Sequence, residues 1–286
     1  MDDLAPGLPD FGEVTRTLRV AGGAHGITWL LTRSDGSKVV VKSGEHVPTG
    51  LFLAEAAGLA AIAATGSVRT PAVLHAGPRR LVLEALLPPP VDDLSFWEEA
   101  GRAVAALHAT PGPAHGWHQD NWLGLLPQHN PWCLDGHEFF IHNRMLRFLR
   151  EPGAQAALDT DGIAGIERIC SRLHSLVPPM PPVLCHGDLW RANFLATHDG
   201  RAAVVDPAVA YTWAEVDISM MYCEEPPPAR FFDAYHEVHP PEPGWQERME
   251  LLHLREMLST VAHFGDHPAI CAPVLSRIRT LVTTYG

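Results

Sequence analysis

The chain has 286 residues, 46% of them hydrophobic, which is enough for one large or two smaller globular domains with a substantial core. Its formal net charge of −12 argues against nucleic acid or an anionic membrane as a partner, because both require clustered lysines and arginines. The start MDDLAPGLPD lacks the features of a signal peptide, and no apolar run approaches the roughly 20 residues of a membrane span. We therefore expect a cytoplasmic protein that acts on a small substrate.

Cysteine and histidine patterns exclude two common enzyme classes. The five cysteines are widely spaced and form no C-x-x-C motif, which predicts reduced, mostly buried thiols. Both His-Glu pairs are followed by a histidine at the wrong distance for H-E-x-x-H, so a catalytic zinc is not expected. The absence of G-x-S-x-G removes the nucleophile elbow of serine hydrolases.

The chain begins with β-structure around a glycine-rich turn. Strands are expected at 15–20 and 27–32, with Gly22, Gly23 and Gly26 between them. Glycines allow backbone N–H groups to approach phosphate oxygens because no Cβ intervenes. The pattern fits a loop that covers the phosphates of a nucleotide, and it also fits an ordinary hairpin.

A lysine and a glutamate in the next two elements suggest an ion pair. A third strand is expected at 38–42 and ends on Lys42, and an alanine- and leucine-rich helix follows at 51–64. That helix carries one acid, Glu55, on an otherwise apolar face, where a carboxylate is costly to bury without a partner. A Lys42–Glu55 pair would match the one that positions the α- and β-phosphates of ATP in kinases.

A change of composition marks a boundary between two lobes. Strands are expected at 71–76 and 80–84, before three prolines that cannot continue a sheet. Helical patterns dominate afterwards. We therefore divide the chain into an N-terminal nucleotide-binding lobe, residues 1–86, and a C-terminal catalytic and substrate lobe, residues 87–286.

The residues at this boundary are candidates for a nucleotide contact. In kinase-like folds, the segment that joins the lobes hydrogen-bonds the adenine edge through its backbone. Glu84, Ala85 and Leu86 occupy that place in the chain. An ordinary strand end is the alternative interpretation.

A long polar and aromatic segment at 116–132 follows a predicted core helix at 96–109. It has no amphipathic period, and loops of this length in a compact domain are often functional. Tryptophan faces beside Asp and Asn side chains are typical of sugar sites, which makes Asp120, Asn121 and Trp132 substrate candidates. The tryptophans would otherwise serve to pack the loop.

The spacing of three polar residues predicts a phosphoryl-transfer centre. Asp188, in the tripeptide H-G-D, is separated by four residues from Asn193, and Asp206 follows beyond a turn. In kinases, the first Asp orients or accepts the proton of the substrate hydroxyl, while the Asn and the later Asp hold magnesium on the phosphates of ATP. Magnesium prefers such hard oxygen ligands. The tripeptide alone is common in turns, but the joint pattern is not.

Two short apolar runs explain how these groups are held. We expect strands at 183–185 and 202–205 to pair like a hairpin around a turn at 198–200, which would bring the two metal-ligand candidates together. Pro207 is expected to push the preceding Asp206 toward an extended conformation.

The remaining elements are predicted helices. Asp217 lies in the first turn of one of them, where an acid is a normal cap and helix-dipole partner. In kinase-like folds such an acid also braces the catalytic loop, and we expect this role for Asp217. The helices are expected at 138–150, 163–176, 216–222, 230–236, 246–264 and 272–282.

The motifs together resemble the fructosamine (ketosamine) 3-kinase family, a branch of the aminoglycoside and choline phosphotransferases. The catalytic block carries HGDLW at 186–190, Asn193, DPA at 206–208 and E-x-D at 215–217. The V-x-K and L-F-x-A-E-A-x-G-L run, the D-N-x-x-G and Q-x-N-x-W pattern and the C-terminal helices extend the similarity over nearly the whole chain. Arg191-Ala192 replaces the usual Ser-Gly and Thr212 a usual Gly, but no metal ligand is lost.

This resemblance implies an α+β, two-lobed protein-kinase-like fold, with a β-rich N-lobe and a mostly helical C-lobe. It implies ATP and Mg²⁺ as cofactors, Asp188 as the base, and a sugar hydroxyl, the 3-hydroxyl of a free or protein-bound fructosamine, as the acceptor. Trp190, beside this centre, joins the substrate candidates. An aminoglycoside, choline or another hydroxyl compound is the alternative acceptor. A nucleotide-binding scaffold without chemistry is a more distant alternative.

Overall fold

The computed structural model describes residues 12–20, 27–91 and 93–286. The strands are β1 (Val14–Val20), β2 (Ile27–Arg33), β3 (Lys38–Ser43), β4 (Val73–Gly77), β5 (Arg80–Glu84), β6 (Asn121–Leu123), β7 (Leu126–Gln128), β8 (Val183–Cys185), β9 (Phe194–Ala196), β10 (Ala202–Val204) and β11 (Ala210–Thr212). The α-helices are α1 (Leu51–Thr65), α2 (Leu94–His108), α3 (Gly136–Phe140), α4 (Pro152–Ala157), α5 (Thr160–Leu176), α6 (Ala214–Cys223), α7 (Arg230–Val238), α8 (Trp245–Phe264) and α9 (Pro268–Tyr285).

Strands β1 to β5 form one antiparallel sheet in the order β1-β2-β3-β5-β4, and α1 packs on it. Side chains alternate between the two faces of a strand. In β3, Val39 and Val41 pack in a cluster with residues of β2 and β5, whereas Val40 packs with the cluster that includes α1. Lys42 shares the alternation of Val40, so the strand pattern directs its ammonium group toward α1.

The C-terminal region is helical around α8. Helix α8 packs against α6, α9 and α4, and its buried residues join a large core that includes Trp97 and Trp213. Helix α2 begins at an N-cap, Asp93, whose side chain accepts hydrogen bonds from the N–H groups of Ser95 (2.9 Å) and Phe96 (3.3 Å). The predicted α+β architecture, with a β-rich N-terminal lobe and a mostly helical C-terminal lobe, is confirmed by this sheet and these helices. None of the helices in the described ranges is both long and apolar enough to cross a bilayer.

The predicted pairing of the strands around the catalytic segment is wrong. Strand β10 pairs with β9, not with β8, and β8 pairs with β11. The turn after Thr197 joins β9 directly to β10, so these two strands close the local hairpin. The loop between β8 and β9 and the loop between β10 and β11 therefore connect the same two small sheets. The two loops therefore lie side by side.

Two further expectations need correction. The helix predicted at 138–150 is instead α3, followed by a π-helical turn (Ile141–Met145) and a 3₁₀ turn (Phe148–Arg150). The segment at 116–132, expected to be a loop, contains the short hairpin β6–β7. Helix α4 had no counterpart in the prediction.

We propose that the lobes divide between Leu86 and Leu87. The N-terminal sheet ends at Glu84. Leu87 and Ala196 of β9 exchange two backbone hydrogen bonds of 2.8 Å, which attach the chain after the boundary to the C-terminal lobe.

Candidate active site

Lys42 lies between two carboxylates from different parts of the chain. Its Nζ donates a 2.6 Å hydrogen bond to Glu55 Oε1 on α1 and also contacts Asp206 Oδ1. The side chains of Lys42 and Glu55 are 14% and 12% exposed. The predicted Lys42–Glu55 ion pair is confirmed, and Asp206 is a second partner that the sequence did not indicate.

The charges of this triad explain its pKa directions. Burial disfavours the ammonium group of Lys42, but the carboxylates of Asp206 and Glu55 outweigh it and raise the pKa of the lysine. Burial raises the pKa of Glu55 despite the opposing effect of Lys42. The pKa of Asp206 is lowered, because Lys42 more than compensates for its burial. Two carboxylates thus share one cation, which leaves an excess negative charge.

Asp206 adopts a left-handed backbone conformation with φ of 58°, not the extended one expected before Pro207. Positive φ is uncommon for a residue with a Cβ and persists where the surroundings impose it. Two hydrogen bonds of 2.9 Å hold the chain on either side of it: His186 Nε2 to the carbonyl of Val205, and Ala208 N to the carbonyl of His186. Interactions between the loops therefore override the local preference imposed by proline.

The two loops touch through their backbones at Gly187. This glycine has φ of 82°, and a Cβ built on it would lie 2.0 Å from the carbonyl oxygen of Ala208. A side chain there would push the Asp206 loop away from the Asp188 loop. The glycine of H-G-D is therefore required for the close approach of the two loops.

Asp188 and Asn193 meet within the first of these loops. Asn193 Nδ2 donates hydrogen bonds to the Asp188 carbonyl (2.7 Å) and to Asp188 Oδ2 (3.2 Å). Burial raises the pKa of Asp188 to about 7, against the opposing charge of Arg255 and with a contribution from Asp206. The carboxyl group is thus poised to exchange a proton near neutral pH.

Asp217 braces the loop of Asp188 through hydrogen bonds to its backbone, as predicted. The buried carboxylate accepts hydrogen bonds from the N–H groups of His186 (2.6 Å) and Gly187 (2.9 Å), and it lies 3.1 Å from His108 Nε2. Burial alone would raise its pKa, but the hydrogen bond from His108 and the nearby charges lower it. Asp217 therefore stays ionised as a structural anion.

A buried polar network that the sequence did not reveal lies behind the centre. Arg255, 1% exposed on α8, donates to Gln128 Oε1 at 2.8 Å. Gln128 in turn donates to Asn121 Oδ1 (2.9 Å) and to the Ala208 carbonyl (3.2 Å), and Asn121 donates to the Val209 carbonyl (2.8 Å). The network anchors the segment that follows Asp206. A charged residue within the apolar pattern of α8 was the available signal for Arg255.

The residues predicted to bind phosphate and metal and to act as the base line one cleft of about 470 Å³ between the sheet and the helices. Lys42, Glu55, Asp188, Asn193 and Asp206 all belong to its wall. Of the hinge candidates, Glu84 is the last residue of β5, and Ala85 and Leu86 follow it. Glu84 Oε2 accepts a 3.1 Å hydrogen bond from Ala72 N. Gly22, Gly23 and Gly26 lie outside the described residues.

The substrate candidates separate into two groups. Asn121 and Trp190 line the cleft, although the amide of Asn121 is engaged within the protein. Asp120 is not part of the cleft wall and accepts a 2.9 Å hydrogen bond from Asn130 N. Trp132 also lies away from the wall and stacks on Tyr211, with ring centroids 6.1 Å apart.

Arg191 and Thr212, which depart from the usual pattern of the family, have different surroundings. The guanidinium of Arg191 lies 5.4 Å from the centre of the Trp97 ring, a cation–π distance. Thr212 is buried in β11, and its Oγ1 has no hydrogen-bond partner among the described residues. Neither side chain belongs to the wall of the cleft.

The donor set of the cleft suits magnesium. Asp188 and Asp206 supply carboxylate oxygens, and Asn193 supplies an amide oxygen, because its Nδ2 is used toward Asp188. With Glu55, this part of the cleft contains three carboxylates against the single ammonium of Lys42. Burial is the largest cause of the raised pKa values of Asp188 and Glu55, and the charge of Asp206 adds to both, an effect that a divalent cation would relieve.

Comparisons with known proteins identify similar sequences and similar folds. The family model described as fructosamine kinase matches residues 9–277. A probable ketoamine kinase of Synechocystis sp. is 35% identical over 251 residues, which cover 86% of this chain and 84% of that protein. The crystal structure of a protein assigned as a fructosamine-3-kinase from Thermobifida fusca superposes with a TM-score of 0.84 at 29% identity and covers 95% of each chain. An aminoglycoside phosphotransferase, 16% identical with a TM-score of 0.66 over 96% of this chain and 95% of its own, shares the fold.

Proposed function

Because this chain belongs to the fructosamine kinase family, we propose that it transfers the γ-phosphoryl group of ATP to the 3-hydroxyl group of a fructosamine. Membership of the family supports ATP-dependent phosphorylation of a ketosamine. The choice of a fructosamine as the substrate and of its 3-hydroxyl group as the acceptor is our proposal. One observation carries the proposal: Asp188, Asn193, Asp206 and Lys42 converge on a single cleft from three segments of the chain.

Asp188 would orient the acceptor hydroxyl and take up its proton. The raised pKa of about 7 makes the carboxylate a competent base near neutral pH. As the hydroxyl oxygen bonds to the γ-phosphorus, the bond from that phosphorus to the β–γ bridging oxygen breaks and ADP leaves. Placement and electrostatics supply most of the catalysis in such a transfer.

Asn193 and Asp206 would hold Mg²⁺, which screens the phosphates and stabilises the charge that develops on them. Lys42, fixed by Glu55, would contact the α- and β-phosphates. Its present contact with Asp206 keeps both groups at the place where phosphate and metal would lie.

The remaining contacts complete the proposal. The backbone of Glu84, Ala85 and Leu86 would bind adenine, and the loop with Gly22, Gly23 and Gly26 would cover the phosphates. We also infer that the protein works in the cytoplasm on free or protein-bound ketosamines, without a nucleic acid or membrane partner.

A competition assay tests the proposal. The protein, with ATP and Mg²⁺, is offered a synthetic fructosamine, aminoglycosides and choline, and ADP release and phosphorylated products are measured. We expect turnover of the fructosamine, loss in Asp188→Asn and retention in the control Asp161→Asn, whose carboxylate is exposed on α5. Turnover of only an aminoglycoside or choline would overturn the acceptor. Equal activity in wild type and Asp188→Asn would overturn the base.

A further inference from the structure

One face of α8 extends the cleft beyond the phosphoryl-transfer residues. His253, Glu256, Met257, Thr260 and Phe264 line it at the three- and four-residue spacing of a helix face. Apolar side chains from α6 and α9 lie opposite, since Met220 and Val274 line the same cleft. The proposed roles of nucleotide, metal and base use none of these residues.

Two polar side chains on this face are buried, and one of them has a ring nitrogen without a hydrogen-bond partner in the described part of the chain. His253 is 1% exposed, and its Nε2 lies 2.9 Å from Glu224 Oε1. Because the carboxylate accepts, Nε2 carries the proton in the neutral ring, and the lone pair is on Nδ1, which has no partner. Glu256 is 8% exposed, and its Oε1 forms an ion pair with Arg255 Nη1.

These two acceptors are neighbours. Residues three apart on a helix lie side by side, so His253 and Glu256 present a lone pair and a carboxylate to the same region. Both side chains line the cleft, so a ligand bound beside this face of α8 would lie next to both of them. A buried acceptor without a donor, such as His253 Nδ1, is costly, and it is uncommon in folded proteins unless something else pairs with it.

The charges of the cleft wall indicate what that ligand carries. Among the described residues, five carboxylates line the cleft, those of Glu55, Asp188, Asp206, Glu224 and Glu256, against one lysine. Magnesium would compensate the group around Asp206, and Glu224 is already paired with Arg277 Nη1 at 3.0 Å. The charge on Glu256 is less well compensated, because Arg255 also faces Asp188 and Asp217. The wall therefore favours a cationic acceptor over a neutral or anionic one.

We propose that Glu256, together with His253, binds the protonated amine of the acceptor and so selects ketosamines over neutral ketoses. The proposal rests on the function proposed above. A protonated secondary amine has two N–H donors, which match the two acceptors on α8. In a ketosamine, only three carbon atoms separate this nitrogen from the 3-hydroxyl oxygen. That short span suits a site in which Asp188 and Glu256 both face the same guanidinium, that of Arg255.

A matched pair of substrates tests this assignment. The first is a fructosamine of a simple alkylamine, and the second is its ether analogue, with oxygen in place of the amine. The ratio of their kcat/KM values reports recognition of the amine alone. We expect wild type to prefer the amine by about tenfold to a hundredfold, the range for a charge-assisted hydrogen bond. In Glu256→Gln the ratio should fall toward one.

Glu250→Gln is the control, because Glu250 lies on the same helix with an exposed carboxylate bound to Arg277 and does not line the cleft. It should keep the wild-type ratio. Equal turnover of the amine and the ether by wild type would overturn the inference, even if Glu256→Gln failed to fold. An unchanged ratio in folded Glu256→Gln would do the same. Failure of wild type to phosphorylate either compound would instead count against the proposed function itself.

Discussion

Replacing Asp188 by asparagine should abolish phosphoryl transfer and at the same time stabilise the fold. The amide keeps an oxygen that can accept the hydrogen bond from Asn193 Nδ2, so local geometry is preserved. It cannot take a proton from the acceptor. It also removes a carboxylate that is half-buried near the like charge of Asp206.

The size of the stabilisation follows from the raised pKa of Asp188. A rise from 3.8 to about 7 corresponds to about 4 kcal/mol at pH 8, at about 1.4 kcal/mol for each unit of pKa. The folded state holds the proton more tightly, so this cost appears as pH rises above 3.8 and is complete above about pH 7. Solvent contact reduces the figure, and we expect about 1–3 kcal/mol at pH 8.

Denaturant unfolding at pH 5 and pH 8 measures this effect, with Asp217→Asn as the control. Asp217 accepts two backbone hydrogen bonds and has a lowered pKa, so its loss should destabilise the protein by about 2–4 kcal/mol. The two variants should therefore change the free energy of unfolding in opposite directions. An Asp188→Asn protein that is active, or clearly less stable than wild type at pH 8, would refute the reasoning.

Three further outcomes are expected. Lys42→Met should lower kcat/KM for ATP by about a hundredfold or more, because the proposed phosphate contact is lost. Lys38→Met, on the exposed end of the same strand, should change it little, and equal losses in the two variants would contradict the phosphate contact of Lys42. The kcat/KM for ATP should rise with pH through about 7 as Asp188 loses its proton, and a flat profile would speak against it as the base. Gly187→Ala should cost more than about 2 kcal/mol of unfolding free energy because its Cβ meets a carbonyl oxygen; Gly200→Ala has a similar φ of 83° but open space, and should cost clearly less.

The sequence predicted the elements well where one residue type or period dominates. The β-branched run of β3 and the alanine-rich α1 are present, and the reasoning that a lone acid on an apolar face needs a partner located the Lys42–Glu55 pair. The same reasoning, applied to α8, would have indicated Arg255, a cation within the apolar stripe of that helix.

Pairing of short strands was not predictable in the same way. Three-residue apolar strands such as β8 and β10 carry no alternation that specifies a partner, so their pairing depends on contacts made by the whole lobe. The conformation of Asp206 is set by hydrogen bonds from the His186 loop, which lies some 20 residues earlier in the chain. Gln128 acts through a buried network whose members come from three separate elements.

The position of the phosphate on the product tests the central claim most directly. A synthetic fructosamine is incubated with the protein, ATP and Mg²⁺, and phosphorus–proton NMR couplings then identify the phosphorylated carbon. We predict a single phosphate on the 3-hydroxyl from the wild-type protein and none from Asp188→Asn. A phosphate on another hydroxyl, or the same product from both proteins, would contradict the account.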